Sequence, residues 1–507
     1  MSTDSIAAPK THGPLSVRRS VLLGGGALVL AGLFAGLQIS TWPVRLRYPG
    51  ELNDIEGMRL VEMVHLRRGI PIYALPSPER FDASIYGPLY YLLGARLIDP
   101  CSPDFLPLRL LSTLATLGLA ASCGVLAFWL TRHALAAALA PLLFLSYGFV
   151  TRHGTSARSD VVAVLLAFLG FLVAFRFQRG RWILLAAPLM LLSFFYKQQY
   201  VAGPLAVMLF LIIERRYRQA AELAGLLAAG GLALLGIFQF LIFPGQAFFH
   251  HFLLYNVTPF SWQQFKYAGL MFFALVLLVP LLLGLEFLRR HRNRLLGCYL
   301  ACSVVLALST VAKVGSDAHY WLECVLALSA LVAALVAERA AAREGIAEIL
   351  CLLGVALFFA RLFTPPGPRP QDFVRDRAIQ AYLREKFPAG TLALSHWAGD
   401  LVRAGLDLPI SDPDQYNFLV RKGILSDQPL LDQIRSLRFG LIVINYDMSI
   451  EPPVSQGGTR LPRALSEAIL ASYRLAASLA MPDTEKVWPD DRFYIWVPRA
   501  GAPQASE

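Results

Sequence analysis

Acids and cations recur in this chain where apolar stretches end. The segment ELNDIEG (51–57) holds Glu51, Asp54 and Glu56. ARSD brings Arg158 next to Asp160, with Arg152 and His153 just before them. Lys197 interrupts an apolar run in FFYKQQY, His250 and His251 are adjacent, and KVGSDAHY supplies Lys313, Asp317, His319 and Tyr320. A carboxylate can take the proton of an incoming hydroxyl. Lysine, arginine and histidine can bind a phosphate and stabilise its charge as it leaves. Because phosphate leaves as a stabilised anion, such a set needs no separate general acid. The inventory suits attack on a phosphate-activated group carried by a lipid. Each residue also has a plainer reading. Asp54 can cap a helix beginning at Ile55, and Glu56 can be a first-turn acid favoured by the helix dipole. Asp160 can cap a helix or pair with Arg158, and Lys197 can snorkel. Lys313, His319 and Tyr320 can form an interfacial belt. Glu51 reads as solvated.

The elements that must position these residues are helices in a membrane. The chain has 507 residues, 56% hydrophobic and 16% charged, and its apolar blocks approach the roughly 20 residues that a span requires. Eleven helices are predicted, near 20–41, 106–130, 134–150, 160–177, 182–196, 200–213, 220–243, 267–287, 295–312, 320–337 and 346–363. The pair at 182–213 is short and broken at Lys197. Arg18 and Arg19 hold the first helix's start in the cytoplasm. Every second connection is then short and arginine-rich (RFQRGR, ERRYR, RRHRNR, ERAAAR), as the positive-inside rule requires. The net charge of +11 belongs to this half, since from residue 364 onward 16 Lys and Arg face 17 Asp and Glu. It therefore reads as topology and excludes nucleic acid as the partner.

The acids, histidines and aromatics fall on the opposite, periplasmic side. The first loop there, 42–105, is predicted to carry two helices along the membrane surface, an amphipathic one at 55–68 and an aromatic one at 86–97. TPPGPRP (364–370) reads as a linker between a membrane domain, 1–363, and a periplasmic α/β domain, 371–507. In that domain AIQAYLREKF reads as a helix, and GTLALS, FGLIVINYD and RFYIWVP read as strands. The six cysteines form no CxxC pair, and no glycine-rich phosphate loop, HExxH or GxSxG occurs. A secondary transporter or lipid-linked-sugar flippase would also have many spans with charges in them. Its charges belong at the midplane of a repeated fold, whereas here they gather at one face.

The local patterns NDIEGMRLVEMVHLRRG, YGPLYYLLGARL, ARSDVVAVLLAFLG, SFFYKQQYVAGPLA and KVGSDAHYWLE, in this order, resemble those of the GT-C superfamily. These are polytopic glycosyltransferases using polyprenyl-phosphate sugars, and the nearest group is that of the aminoarabinose transferases and protein O-mannosyltransferases. The resemblance covers the membrane half and, more loosely, the tail. It implies a bacterial inner-membrane enzyme that transfers a sugar from a polyprenyl-phosphate donor to a periplasm-facing glycan, lipid or protein. Counting back from Gly69 places the family's first-loop Asp at Asp54, as base or acceptor-orienting group, with Glu56 beside it and a second acid at Asp160. Lys197, Arg158, Lys313, His319 and Tyr320 would hold the donor phosphate. Two departures stand out: Ile55 separates Asp54 from Glu56 where the family often has Asp-Glu, and Tyr86 replaces a lysine. Some members hold a divalent metal ion through a first-loop Glu and a His. His250 and His251 are the candidate histidines, and no Glu matches that position.

Overall fold

The computed structural model describes residues 14–77, 80–256, 258–342, 345–362, 367–448, 461–483 and 492–499. An apolar helix stands at each of the eleven predicted blocks. Among the described residues, five helices have the length and composition to cross a membrane: Gly24–Arg47, Leu106–Thr131, Tyr217–Ile242, Trp262–His291 and Ala318–Ala342. Others are shorter. Asp160–Arg176 and Ile346–Leu362 have 17 residues each, a rise of roughly 26 Å. Ala318–Ala342 is the central helix and is almost wholly buried, whereas Tyr217–Ile242 leaves most of its apolar surface outward.

The block 134–150 is not straight. Ala134–Leu145 and Gly148–Gly154 meet at 74°, and the second arm carries Arg152 and His153. At the corner, Ser146 Oγ donates to the carbonyl of Leu142 at 2.7 Å and to that of Ala31 at 3.2 Å. Such serine back-bonding bends helices. The expected break near Lys197 is present. A 3₁₀ turn, Arg181–Ala186, leads into Ala187–Tyr196. The chain then leaves the helix with Lys197 extended (φ −157°, ψ 119°) and resumes at Ala202.

The first loop contains helices Trp42–Arg47, Asp54–Arg67 and Pro88–Leu97. Asp54–Arg67, the helix read as lying along the membrane surface, is covered by protein: Glu56 to His65 are all buried. Its charged face is covered because each charge has a partner there. Arg59 pairs with Glu62 and Asp412, both at 2.6 Å, and His65 with Asp82 at 3.0 Å. The cover is helix Ala398–Arg403 from the tail. Gly57 and Gly399 permit this approach, since a Cβ on Gly57 would collide with the Gly399 backbone and the Glu51 carboxyl. Glu51, read as solvated, is fully buried and accepts the Gly399 N–H.

The tail forms a four-stranded sheet of β1 (Ala393–Ser395), β2 (Leu441–Ile444), β3 (Tyr473–Ala480) and β4 (Arg492–Pro498), in the order β1-β2-β4-β3. β1 and β2 are parallel, with Leu394 opposite Ile442, and β4 is antiparallel to both neighbours. Three strands coincide with the predicted segments. β3 did not stand out in the sequence, because YRLAASLA is alanine-rich and only half-buried. The predicted linker 364–370 includes residues 364–366, which lie outside the described residues. Phe81 of the first loop inserts into the core under the sheet, beside Ile410 and Tyr416, and its N–H donates to the Pro409 carbonyl at 2.8 Å.

Candidate active site

Asp160 opens the helix Asp160–Arg176 with no exposed surface. Lys197 Nζ stands 2.6 Å from its Oδ1, and the Tyr200 hydroxyl donates to the same oxygen at 2.6 Å. Arg158 Nε donates to Oδ2 at 3.0 Å, and His319 Nε2 lies 3.5 Å from Oδ1. Lys197 and Arg158 are only 4% and 5% exposed. Two buried cations thus share one carboxylate, and Arg158 also acts on the Asp54 carboxylate across the cavity. The Tyr86 ring lies between Lys197 Nζ, 4.5 Å from its centroid, and Arg59 Cζ, at 5.0 Å, geometry suited to cation–π attraction.

These groups open onto a cavity of about 580 Å³. Asp54, Arg158, Lys197, Lys313, His319 and Tyr320 all line it, joined by Asp412 and Asp414 from the tail. Lys313 is exposed and has no ion pair among the described residues. Asp54 is the first residue of its helix, and the N-cap is Asn53, one position earlier than expected for a helix starting at Ile55. The Asp54 carboxylate accepts from the Ile55 N–H at 3.0 Å. Burial raises its pKa above the usual carboxylate range, with Arg158 opposing and Asp412 reinforcing the rise. A carboxylate so placed is a stronger base than a free one.

Glu56 does not reach this cavity. Its oxygens accept from Arg109 Nη2 at 2.6 Å, Leu52 N at 2.7 Å and Ala157 N at 2.5 Å. Arg109 also donates to the carbonyls of Tyr48 and Gly50. The pair is wholly buried and pins the turn before Asp54 to helix Leu106–Thr131. Glu56 is thus held in a buried pair off the cavity lining, and the Asp160 oxygens are held by Lys197 and Arg158.

His250 and His251 lie away from the cavity lining. His251 sits among Tyr73, Phe81 and Tyr255 and donates from Nε2 to the Ala74 carbonyl at 2.8 Å. Among the described residues no group of three or more His, Cys, Asp or Glu could hold a metal ion. The histidines singled out for a metal do not fit that role.

Sequence reasoning missed Arg59 and Tyr200. Asp412 had a local signal: in SDPDQ it caps the helix Pro413–Arg421, its Oδ1 accepting from Gln415 N at 2.9 Å. Its contact with Arg59 spans 353 residues of sequence, which no local pattern reveals.

The described helices are those of a mostly helical, multi-pass membrane protein, and solved structures share its fold. The crystal structure of ArnT from Cupriavidus metallidurans bound to undecaprenyl phosphate superposes with a TM-score of 0.59 at 12% identity, covering 94% of this chain and 99% of that one. Its apo form gives a TM-score of 0.58 at 12% identity, covering 94% and 98%. The oligosaccharyltransferase AglB from Archaeoglobus fulgidus, in complex with an inhibitory peptide and a dolichol-phosphate, matches with a TM-score of 0.46 at 13% identity over 84% of this chain and 70% of that one. No protein-family model and no curated protein sequence matches the chain.

Proposed function

We propose that this chain is an integral-membrane glycosyltransferase that moves a sugar from a polyprenyl-phosphate donor to a hydroxyl of a periplasm-facing glycan, lipid or protein. The observation that carries this reading is the pair of buried cations, Lys197 and Arg158, sharing the single carboxylate of Asp160 at a cavity that Asp54 also lines. The bound undecaprenyl phosphate in the ArnT structure of the same fold supports a lipid-phosphate donor.

Lys197, Arg158 and Lys313 hold the donor phosphate, with His319 and Tyr320 beside it. The acceptor hydroxyl gives its proton to Asp54 as its oxygen bonds to the anomeric carbon. The bond from that carbon to the phosphate oxygen breaks, and its electron pair leaves on the phosphate. The cations already in place stabilise the charge that develops there. A single displacement inverts the anomeric centre. The apolar helices and arginine-rich connections support eleven spans in an inner membrane, with the N-terminus cytoplasmic. Residues 1–363 then form the membrane domain, 364–370 the linker and 371–507 an α/β domain in the periplasm.

The test is release of polyprenyl phosphate by the purified protein in bilayers, from a panel of synthetic polyprenyl-phosphate sugars, with and without chelator. Release that requires Asp54 supports the reading. A panel giving no release above the Asp54→Asn background overturns it.

A further inference from the structure

At the end of the helices opposite the cavity, the structure opens two adjoining hollows of about 860 and 570 Å³ that share Gln178, Arg179 and Asn293. Helix Asp160–Arg176 runs from the candidate site to this end, a rise of roughly 26 Å. The larger hollow is lined by Arg132, Arg176 and Arg179 together with Trp129 and Phe175, whose rings stack at 6.4 Å. The smaller one adds Arg292 and Arg216. The one acid lining either hollow, Glu214, is already paired with Arg294 at 2.8 Å.

Positive-inside topology accounts for arginines in these connections, but not for their arrangement. Arg132, Arg176, Arg179 and Arg292 form no ion pair among the described residues, although their neighbours Arg181, Arg290 and His291 do. They line a concavity instead of spreading over a convex face. Arg132 and Arg292 each follow a helix with a left-handed backbone, φ 59° and 47°, a conformation that favours glycine. The chain thus keeps an arginine where a glycine would be easier.

The surroundings indicate where the ligand comes from. Trp182 and Tyr217 are 66% and 61% exposed beside these connections, as aromatic side chains at a membrane–water interface are. Leu185, Ile212 and Ile213 are exposed on the same helix ends and can face acyl chains. We infer that the hollows form a binding site for the headgroup of an anionic membrane phospholipid, separate from the donor site. Its arginines offer forked donors to phosphate oxygens.

The test is native mass spectrometry of the full chain in detergent, titrated with cardiolipin, with phosphatidylethanolamine and with inorganic phosphate. Cardiolipin should bind, and the triple variant R132Q/R176Q/R179Q should bind it at least ten-fold more weakly. The charge-matched triple R181Q/R289Q/R290Q, at the same end but outside both hollows, should bind like the parent. Equal losses in both triples would overturn the site in favour of general surface charge. Displacement of cardiolipin by millimolar inorganic phosphate, or equal binding of phosphatidylethanolamine, would overturn the lipid assignment. Should the first triple fail to fold, R179Q alone is read in the same assay. About three-fold weakening is expected, and no change overturns the proposal.

Discussion

Lys197 and Asp160, both almost wholly buried, meet at 2.6 Å, and Arg158 holds the other carboxylate oxygen at 3.0 Å. One acid therefore fixes two cations that both line the cavity. In Asp160→Asn those cations lose their buried counter-charge, a change that costs about 3–5 kcal/mol at buried pairs. The variant should melt lower than the parent in detergent. Undecaprenyl phosphate should restore more stability to it than to the parent, because the ligand brings the missing negative charge. Parent-like melting of the ligand-free variant would remove Asp160 from this role.

Asp54→Asn removes the proposed proton acceptor and leaves the cations in place. Transfer should fall by about 10²–10⁴-fold, the range for a lost general base. Polyprenyl-phosphate binding and protein abundance should not change. A kinetic assay beside a binding titration on the same preparation separates the two effects.

The pH dependence follows from the same carboxylate. Its pKa is raised by burial and by Asp412, against Arg158. The active form is ionised, so the rate should fall as pH drops through a value above that of a free aspartate, near 3.9. A profile of kcat/KM against pH whose acid limb lies at or below that of a free aspartate would contradict the assignment.

The contact between first-loop helix and tail has its own titration. His65 lies 3.0 Å from Asp82 and 3.5 Å from Asp407. Burial would lower its pKa, but the two carboxylates outweigh burial and the nearby Arg80 and raise it to about 9. The protonated ring therefore adds stability that is complete below about pH 6.5 and is lost as pH rises through about 9. The shift corresponds to at most about 3 kcal/mol. The protection factors of amides along residues 54–67 and 398–415, taken against intrinsic exchange at each pH, should fall above pH 9, and His65→Gln should abolish that fall.

Glu56→Gln should act on stability. It breaks a buried pair with Arg109, and about 3–5 kcal/mol should be lost. Lower abundance with an unchanged KM for donor in the surviving protein is the expected pattern. A kinetic loss at parent stability would return Glu56 to the list of catalytic groups.

Much of this was readable in the sequence because membrane helices declare themselves locally. Apolar blocks located the helices, and the break at Lys197 was visible as a charge inside one of them. The candidate cavity residues were legible for a related reason. Ionised groups next to apolar runs are expensive, so Asp54, Arg158, Asp160, Lys197 and Lys313 stood out singly. What the sequence did not carry was which of them face one another. Glu56 and Asp54 are two residues apart, and only the count back from Gly69 favoured Asp54. Arg109, distant in sequence, captures one and leaves the other at the cavity. The pairing of Arg59 with Asp412 was hidden for the same reason, since it spans 353 residues. The bend at Ser146 depends on a bond to Ala31, a second long-range contact.

The covering of Asp54–Arg67 by the tail also sets an order of assembly. Arg59 and Gly57 are made early, whereas Gly399 and Asp412 emerge about 350 residues later. At roughly 5–20 residues per second, that interval is tens of seconds. Throughout it the nascent chain holds its cations and Asp54 without the wall that Asp412 and Asp414 complete. A chain stopped before residue 398 would keep its membrane helices and lack a closed site. The wall of the cavity therefore forms only once residues 398–414 have been translated.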